Sequence, residues 1–319
     1  MHSALQALGV HAQHIDLVWR TMLWICGLMY LLVIAFLIDA IRRRRDSQSV
    51  APRVELQSDS PQVRRMSIVL GGWIGLMTLG LFALALTSFL TDRALVHAAA
   101  EPQVSLKITA HQWWWQIEYT DPDPSRHVRT ANEIHLPVGA QVHAELASDD
   151  VIHSFWVPNL HGKRDLIPGR PAEFRLQPLQ PGRYRGQCAE FCGLQHAHMA
   201  LEIVVESQQD YAAWYEQQLA TPPAVSEARA ARGQQVFFTS ACNLCHAIAG
   251  TDAAANYGPD LSHVASRRML AAGTLPNDSE HLRRWLENPQ RVKPGNRMPV
   301  VSLGPDDLDA LVAYLGTLR

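Results

Sequence analysis

Two long apolar runs near the N-terminus constrain this chain most strongly, because few globular helices run so far without a polar face. Thr21–Ile41 contains one charged residue, Asp39, and Met66–Leu90 contains none. At about 1.5 Å per residue, each run is long enough to cross a hydrocarbon core of roughly 30 Å. The sequence therefore predicts a two-helix transmembrane hairpin within residues 1–100, with spans at about 21–41 and 66–90.

The arginines between the two runs predict how the hairpin is oriented. Residues 42–65 contain seven arginines and three acidic residues. Short loops rich in arginine and lysine stay on the cytoplasmic side of a membrane. We therefore expect this loop inside, and both the N-terminus and everything after Thr91 outside. The formal net charge of the whole chain is -2, which gives no indication of nucleic acid as a partner.

A first soluble module, residues 101–206, alternates short apolar stretches with turns rich in proline, glycine and aspartate. Many short strands at this spacing favour a β-sandwich or a barrel. The predicted strands are Val104–Ile108, Gln116–Tyr119, Glu133–Leu136, Gln141–Leu146, Glu173–Leu176 and Leu201–Val205.

The segment Cys188–Met199 carries the sharpest chemical signal, with two thiols, an imidazole and a thioether within twelve residues. Thiolate and thioether ligands together with imidazole favour copper, zinc or iron–sulfur over hard cations. His153, upstream in His-Ser-Phe-Trp-Val-Pro, offers a second imidazole. Two thiolates that bridge two copper ions would leave each ion one histidine and one weak ligand. From the residues alone, a disulfide between the two cysteines and a reversible copper-delivery site remain alternatives.

The string Cys-x-Glu-x-Cys-x3-His-x2-Met, with the upstream histidine motif and the hairpin, resembles the subunit II family of haem–copper cytochrome oxidases over about residues 15–206. This resemblance implies a cupredoxin-like β-sandwich in residues 101–206 with a dinuclear copper centre, CuA. It implies that Cys188 and Cys192 bridge both coppers. The other implied ligands are His153 and Met199 on one copper, and His196 and the backbone carbonyl of Glu190 on the other.

The same resemblance assigns two further roles. In the family, the glutamate side chain also reaches a magnesium ion at the boundary with the catalytic subunit, so Glu190 is expected to bind Mg as well. Trp113, the first tryptophan of His111-Gln-Trp-Trp-Trp115, matches the position that receives electrons, although a tryptophan run is also typical of sandwich core. Relatives often carry a glutamate just before the second span. Pro61–Ser67 contains none, and no proton-uptake residue is assigned.

A second soluble module, residues 227–319, follows a linker at 207–226 that begins with a helical extension. Cys242-Asn-Leu-Cys245-His246 is the c-type haem attachment motif, in which two thiols bind the haem covalently and the histidine reaches the iron. Met298 fits as the second axial ligand of the iron. A zinc half-site or a redox dithiol is the alternative interpretation of the two cysteines alone.

This module resembles an all-α class I cytochrome c. Gly233 and Phe237 occupy the positions where the first helix of that family crosses the last, here Asp306–Leu318. Tyr257-Gly-Pro259 resembles the loop whose proline carbonyl holds the proximal histidine ring. Such a hydrogen bond to the outer ring nitrogen would fix the tautomer of the ligand.

Together the modules resemble the fused subunit II of caa3-type oxidases in a bacterial inner membrane. The expected path runs from a cytochrome donor to haem c, then to the dicopper centre, and on to subunit I, which reduces oxygen to water. Subunit I, subunit III and membrane lipid are the other expected partners. The chain itself is expected to hold no catalytic residue of this proton-translocating oxidoreductase. A CuA subunit of a nitric oxide reductase and a membrane-anchored copper assembly protein are the alternatives.

Overall fold

The computed structural model describes residues 3–46, 61–97 and 101–319. These residues fall into two compact units. One unit comprises residues 13–99, which contain the predicted spans. The other contains the soluble modules together with the N-terminal residues up to Ala12.

Two long helices form the first unit, α1 (Val10–Asp46) and α2 (Pro61–His97). The ring of Phe36 meets the ring of Trp73 edge-on at 6.4 Å, and Ile25 contacts Gly80, so the helices run antiparallel. By length and composition both helices are able to cross a membrane. The predicted spans lie inside them. The middle of the arginine-rich loop, 47–60, lies outside the described residues.

The first soluble module contains ten strands in two sheets. The strands are β1 (Val104–His111), β2 (Trp114–Thr120), β3 (Val128–Ala131), β4 (Glu133–Pro137), β5 (Val142–Ser148), β6 (His153–Trp156), β7 (Arg164–Leu166), β8 (Ala172–Leu176), β9 (Gly182–Cys188) and β10 (Ala200–Glu206). Each sheet has five strands, in the orders β3-β2-β1-β5-β8 and β4-β10-β9-β6-β7. All six predicted strands are present, and four further strands, β3, β6, β7 and β9, were not predicted.

The core of this sandwich follows from the alternation of side chains along its strands. Every second residue of β1, from Val104 to Ala110, is buried while its neighbours are partly exposed. Because successive side chains in a strand point to opposite faces, this pattern places one face of the sheet in the core. Trp115 and Ile117 on β2 and Ile203 on β10 are fully buried in the same core.

The segment expected to be a linker begins with helix α3 (Gln208–Leu219). The side chain of Ser207 caps its first turn by accepting a hydrogen bond from the Asp210 amide. The indole of Trp214 stacks on the imidazole of His135, with ring centroids 4.2 Å apart and planes 5° apart. The helix therefore packs against the sandwich through aromatic contacts.

His135 lies between two carboxylates on the sandwich. Its Nδ1 lies 2.8 Å from Glu206 Oε1, and its Nε2 lies 3.1 Å from Glu133 Oε1. Burial opposes ionisation of Glu133. The hydrogen bonds from His135 and from the Arg268 amide outweigh that effect, so the pKa of Glu133 lies below its ordinary value. The native state therefore favours the ionised carboxylate.

Glu133→Gln is expected to weaken the acid sensitivity of the folded chain. A carboxyl group with a lowered folded-state pKa stabilises the fold above its ordinary pKa, and that stability is lost as the pH falls through the folded value. We expect the slope of the unfolding free energy against pH, below about pH 4.5, to decrease by up to about 1.4 kcal/mol per pH unit. Thermal unfolding of both chains across that range checks this, and equal slopes would contradict it.

The C-terminal module, residues 227–319, is built from four helices and one two-stranded hairpin. Phe237, Leu311 and Tyr314 are buried where the first and last helices cross. A Cβ atom at Gly233 would overlap the carbonyl oxygen of Ala310, so the crossing requires glycine there, as the sequence predicted. The elements are α4 (Ala228–Thr239), β11 (Met269–Leu270), β12 (Leu275–Pro276), α5 (Ser279–Glu287), α6 (Pro289–Val292) and α7 (Pro305–Leu315).

Candidate metal centre and haem site

Two of the strands that the sequence did not predict bring the candidate copper ligands together. His153 is the first residue of β6, and Cys188 is the last residue of β9. These strands pair in antiparallel fashion, with Phe155 opposite Cys188. The loop 189–199, between β9 and β10, supplies the remaining candidates. All six therefore come from one end of the same sheet.

Every one of the six candidate copper ligands lies within van der Waals reach of another. His153, Cys188, Cys192 and Met199 are buried, so water has little access to the cluster. The separations are 3.7 Å for Cys188 Sγ to Cys192 Sγ, 3.8 Å for Cys188 Sγ to His153 Nδ1, 3.6 Å for Cys192 Sγ to His196 Nδ1, 3.9 Å for Cys192 Sγ to Met199 Sδ and 3.2 Å for Cys188 Sγ to the Glu190 carbonyl oxygen.

These separations suit metal binding better than a disulfide. A disulfide requires its sulfurs about 2.05 Å apart, whereas the Cys188 and Cys192 sulfurs are 3.7 Å apart and both thiols are free. Two sulfurs bound to one ion at about 2.3 Å lie up to roughly 4 Å apart. Both sulfurs can therefore reach the same ion, and two thiolates, two imidazoles and a thioether are a donor set that copper prefers.

The two thiols do not ionise independently. The hydrogen bond between them lowers the pKa of Cys188 and raises that of Cys192. One proton therefore leaves the pair easily and the other is retained. Because a thiolate, and not a thiol, is the metal ligand, metal binding must displace this second proton.

Asp150 fixes the orientation of the His153 ring, a role that the sequence analysis did not assign. Its Oδ1 lies 2.8 Å from His153 Nε2. A carboxylate only accepts, so in the neutral ring Nε2 carries the proton and Nδ1, which faces Cys188, offers its lone pair to a metal. Burial opposes protonation of His153, but its hydrogen bonds to Asp150 and Cys188 outweigh that effect and raise its pKa. The signal in the sequence is an acid three residues before a ligand histidine.

Trp113 lies directly against the loop that carries the cysteines. Its indole Nε1 donates to the carbonyl oxygen of Cys192 at 2.9 Å, and Gln112 Nε2 donates to the same oxygen at 2.8 Å. Only 8% of Trp113 is exposed. Its side chain is therefore one hydrogen bond from a candidate copper ligand.

The backbone carbonyl and the side-chain carboxylate of Glu190 have different partners. Its carbonyl faces the cysteine sulfurs, while its carboxylate pairs with Lys163 Nζ at 3.2 Å on the surface. Magnesium prefers several oxygen ligands. In the part of the chain that the structure describes, His153, Cys188 and Cys192 are the only three residues of the kinds His, Cys, Asp and Glu whose ligand atoms all lie within 4.8 Å of one another. The magnesium site at Glu190 stays a prediction.

The attachment motif forms a tight turn at the surface of the C-terminal module. The amide of His246 donates to the carbonyl of Cys242 at 3.0 Å. His246 Nδ1 donates to the carbonyl oxygen of Pro259 at 2.7 Å, which leaves Nε2 for a metal. This is the hydrogen bond predicted from Tyr257-Gly-Pro259. Burial lowers the pKa of His246, which favours the neutral, ligating ring.

The surroundings of His246 suit a haem in two further respects. A Cβ atom at Gly258 would lie 2.7 Å from His246 Cε1, so only glycine admits the ring. The guanidinium of Arg267 has a buried Nε without a hydrogen-bond partner among the described residues, and its charge lowers the pKa of His246. An unpartnered donor near the histidine suits the carboxylates that a haem carries.

Met298 is held by its backbone. Its amide donates to Asn296 Oδ1 at 2.8 Å, and its carbonyl accepts from Gln290 Nε2 at 3.0 Å. The structure thus orders the loop that carries the predicted second axial ligand. The pairing of Met298 with His246 stays a prediction.

Comparison with known proteins identifies both soluble modules. The family described as cytochrome c oxidase subunit II, periplasmic domain, matches residues 122–208, and the cytochrome c family matches residues 230–319. The cytochrome c oxidase subunit 2 of Bacillus sp. strain PS3 is 30% identical over 297 residues, covering 87% of this chain and 80% of that protein. The chain belongs to the cytochrome c oxidase subunit 2 family.

A second member of the subunit 2 family, from Alkalihalophilus pseudofirmus, is 39% identical over 217 residues. That match covers 68% of this chain but 61% of the relative, less than two thirds of its length. The solved periplasmic domain of subunit II of cytochrome oxidase from Bradyrhizobium japonicum is 30% identical, covers 37% of this chain and 95% of that domain, and has a TM-score of 0.35.

Membership of the subunit 2 family confirms the resemblance drawn from the residues. The predicted fold classes are also confirmed: two apolar N-terminal helices, a cupredoxin-like sandwich and a helical cytochrome c domain. Copper and haem c are the cofactors that these two domain families imply. The family model that matches residues 122–208 describes a periplasmic domain, which supports an outward-facing sandwich, and the two apolar helices are long enough to anchor it in a membrane.

Proposed function

We propose that this chain receives electrons from a cytochrome donor at a haem c held by His246 and Met298, and passes them to a dinuclear CuA centre. From there they continue to subunit I of a haem–copper oxidase, which reduces oxygen. The chain is the electron-accepting subunit of a proton-translocating oxidoreductase in a bacterial inner membrane. Trp113 is the residue through which electrons approach the copper centre.

The observation that carries this proposal is the convergence of two thiols, two imidazoles, a thioether and a carbonyl oxygen within one buried loop cluster. Cys188 and Cys192 would hold the copper ions through their thiolates. His153, His196, Met199 and the carbonyl of Glu190 would supply the other ligands.

Bound copper and haem supply reversible one-electron oxidation and reduction, and the protein supplies rigidity around them. The Pro259 carbonyl holds the His246 ring, Asp150 holds the His153 ring, and the sandwich core fixes both cysteines. Cys242 and Cys245 attach the haem covalently. Ligands that are held in place rearrange little when the charge on a metal changes, and this lowers the cost of each transfer.

The proposed partners follow from this path. Subunit I, and subunit III with it, lie beside the two membrane helices. The Glu190 carboxylate binds magnesium together with oxygen ligands from subunit I, after releasing Lys163. The donor is a cytochrome of the respiratory chain.

The purified full chain is expected to contain two copper ions and one covalent haem. The two coppers share one unpaired electron, which electron paramagnetic resonance and a near-infrared band report. A single labile copper would instead support a copper assembly protein. Turnover of nitric oxide by the purified complex, without consumption of oxygen, would support a nitric oxide reductase.

A further inference from the structure

One loop of the C-terminal module contacts the candidate copper site directly. We call residues 293–298 the docking loop. Lys293 is only 3% exposed, and its Nζ donates to the carbonyl oxygens of Trp113 at 2.6 Å and Ala271 at 3.1 Å. A buried amino group is stable only where acceptors replace its water. Lys293 therefore fixes the backbone of Trp113 relative to the C-terminal module.

The middle of the docking loop lies against the Trp113 ring. A Cβ atom at Gly295 would be 3.7 Å from Trp113 Cη2. The neighbouring carbonyl of Pro294 accepts a hydrogen bond from Gln195 Nε2 at 2.8 Å. On its other side, the Trp113 indole donates to the carbonyl of Cys192. The ring thus lies between the docking loop and the cysteine loop.

The end of the docking loop reaches the copper site by a second route. Arg297 Nη2 lies 3.2 Å from Asp150 Oδ2, and the other oxygen of Asp150 lies 2.8 Å from His153 Nε2. Arg297 directly precedes Met298. One carboxylate therefore connects the neighbour of the candidate haem ligand to a candidate copper ligand.

We propose that the docking loop is the internal contact through which electrons pass from the haem to Trp113 and the dicopper centre, with Lys293 and Arg297 as positioning residues. The proposal rests on the proposed function, since it requires both cofactors. One electron leaves the ferrous haem and one arrives at the oxidised dicopper centre, and no bond forms or breaks. Because the loop covers Trp113, an external cytochrome reduces the copper only by way of the haem.

The test is the rate of haem-to-copper electron transfer in the full chain after photoreduction of the haem. Lys293→Met combined with Arg297→Gln removes the two hydrogen bonds that Lys293 donates and the ion pair between Arg297 and Asp150. We expect the rate of electron transfer to fall about tenfold. Arg232→Gln is the matched control. Its partner Asp307 lies within the C-terminal module and its exposure is similar, 56% against 63% for Arg297. The control is expected to keep the native rate.

Amide hydrogen exchange reports the docking itself, without using the cofactors. The amide of Ala200 donates to the carbonyl of Ala272, and the amide of Arg268 donates to Glu133 Oε2, both across the contact between the modules. We expect both amides to exchange faster in the double variant than in the Arg232→Gln control. If the double variant does not fold, Arg297→Gln is tested alone. Its rate of electron transfer is expected to fall about twofold to threefold, the size of effect expected from the loss of one exposed ion pair. Arg297→Lys should restore most of the loss.

Two results would overturn the inference. One is an unchanged transfer rate in a variant whose amides exchange faster. The other is reduction of the copper before the haem when the native chain is mixed with a reduced soluble cytochrome. Copper and haem contents are measured first, so a chain without both cofactors counts against the proposed function and is distinguished from a failure of the docking loop.

Discussion

Cys192→Ser is expected to abolish the copper centre and with it electron delivery to subunit I. The Cys192 sulfur lies 3.7 Å from Cys188 Sγ, 3.6 Å from His196 Nδ1 and 3.9 Å from Met199 Sδ, so it lies beside three of the other five candidate ligands. A serine hydroxyl is a hard ligand that does not replace a bridging thiolate. We expect copper to fall from two ions per chain to background, and oxygen consumption to fall by about 100-fold or more.

The haem serves as an internal control in this experiment, because Cys242 and Cys245 are unchanged and covalent haem should stay at one per chain. Cys26→Ser is the matched variant. Its thiol lies in α1 and belongs to neither the candidate copper site nor the haem attachment motif, so this variant should keep both copper and activity. Copper retained by Cys192→Ser with its native spectrum would show that this sulfur is not a ligand.

Gly233→Ala is expected to destabilise the C-terminal module by about 3 kcal/mol, at the upper end of what added core atoms usually cost. The new methyl group would overlap the carbonyl oxygen of Ala310 and press on the Tyr314 Cβ. A backbone carbonyl has no rotamer to adopt, so α4 and α7 must separate. Denaturant unfolding of the full chain, followed by haem absorbance, measures the loss, and covalent haem yield should fall with it.

The matched substitution is Gly304→Ala at the start of α7. A Cβ atom at Gly304 would meet nothing within 4 Å, and its backbone φ is -64°. The substitution would affect only the helix N-cap, so we expect the unfolding free energy to fall by no more than about 1 kcal/mol. Equal losses of unfolding free energy in the two variants would show that the crossing of α4 and α7 does not require a glycine at Gly233.

The sequence predicts well whatever is encoded by residues close together in the chain. The two predicted spans follow from local apolar runs, and the structure contains long helices there. The helix crossing at Gly233 and the hydrogen bond from His246 to Pro259 follow from the resemblance to class I cytochrome c, and the structure contains both. The candidate copper ligands are recognisable from a local motif, because five of the six lie within Cys188–Met199.

The strands that hold those ligands were harder to predict. β9 points Tyr184, Gly186 and Cys188 inward, a set without the usual run of branched apolar side chains. Gly186 is required there because a Cβ atom would lie 2.8 Å from the side chains of Leu201 and Val157. β6 has four residues, too few for alternation to show.

Lys293 could not have been singled out from the sequence at all. Arg-Val-Lys-Pro-Gly is typical of an exposed loop. The lysine is buried because its partner, the Trp113 carbonyl, lies 180 residues away in the sequence. Such a contact depends on how two separately folded modules meet, and no local pattern encodes it.

The helix α3 shortens the tether between the modules. Since α3 ends at Leu219 and α4 begins at Ala228, only the eight residues 220–227 connect them. Fully extended, they reach about 27 Å. Under the proposed function, this short connection keeps the haem at an effective concentration on the order of millimolar relative to the copper centre. Electron transfer from the haem to the copper would then not depend on the diffusion of a soluble cytochrome.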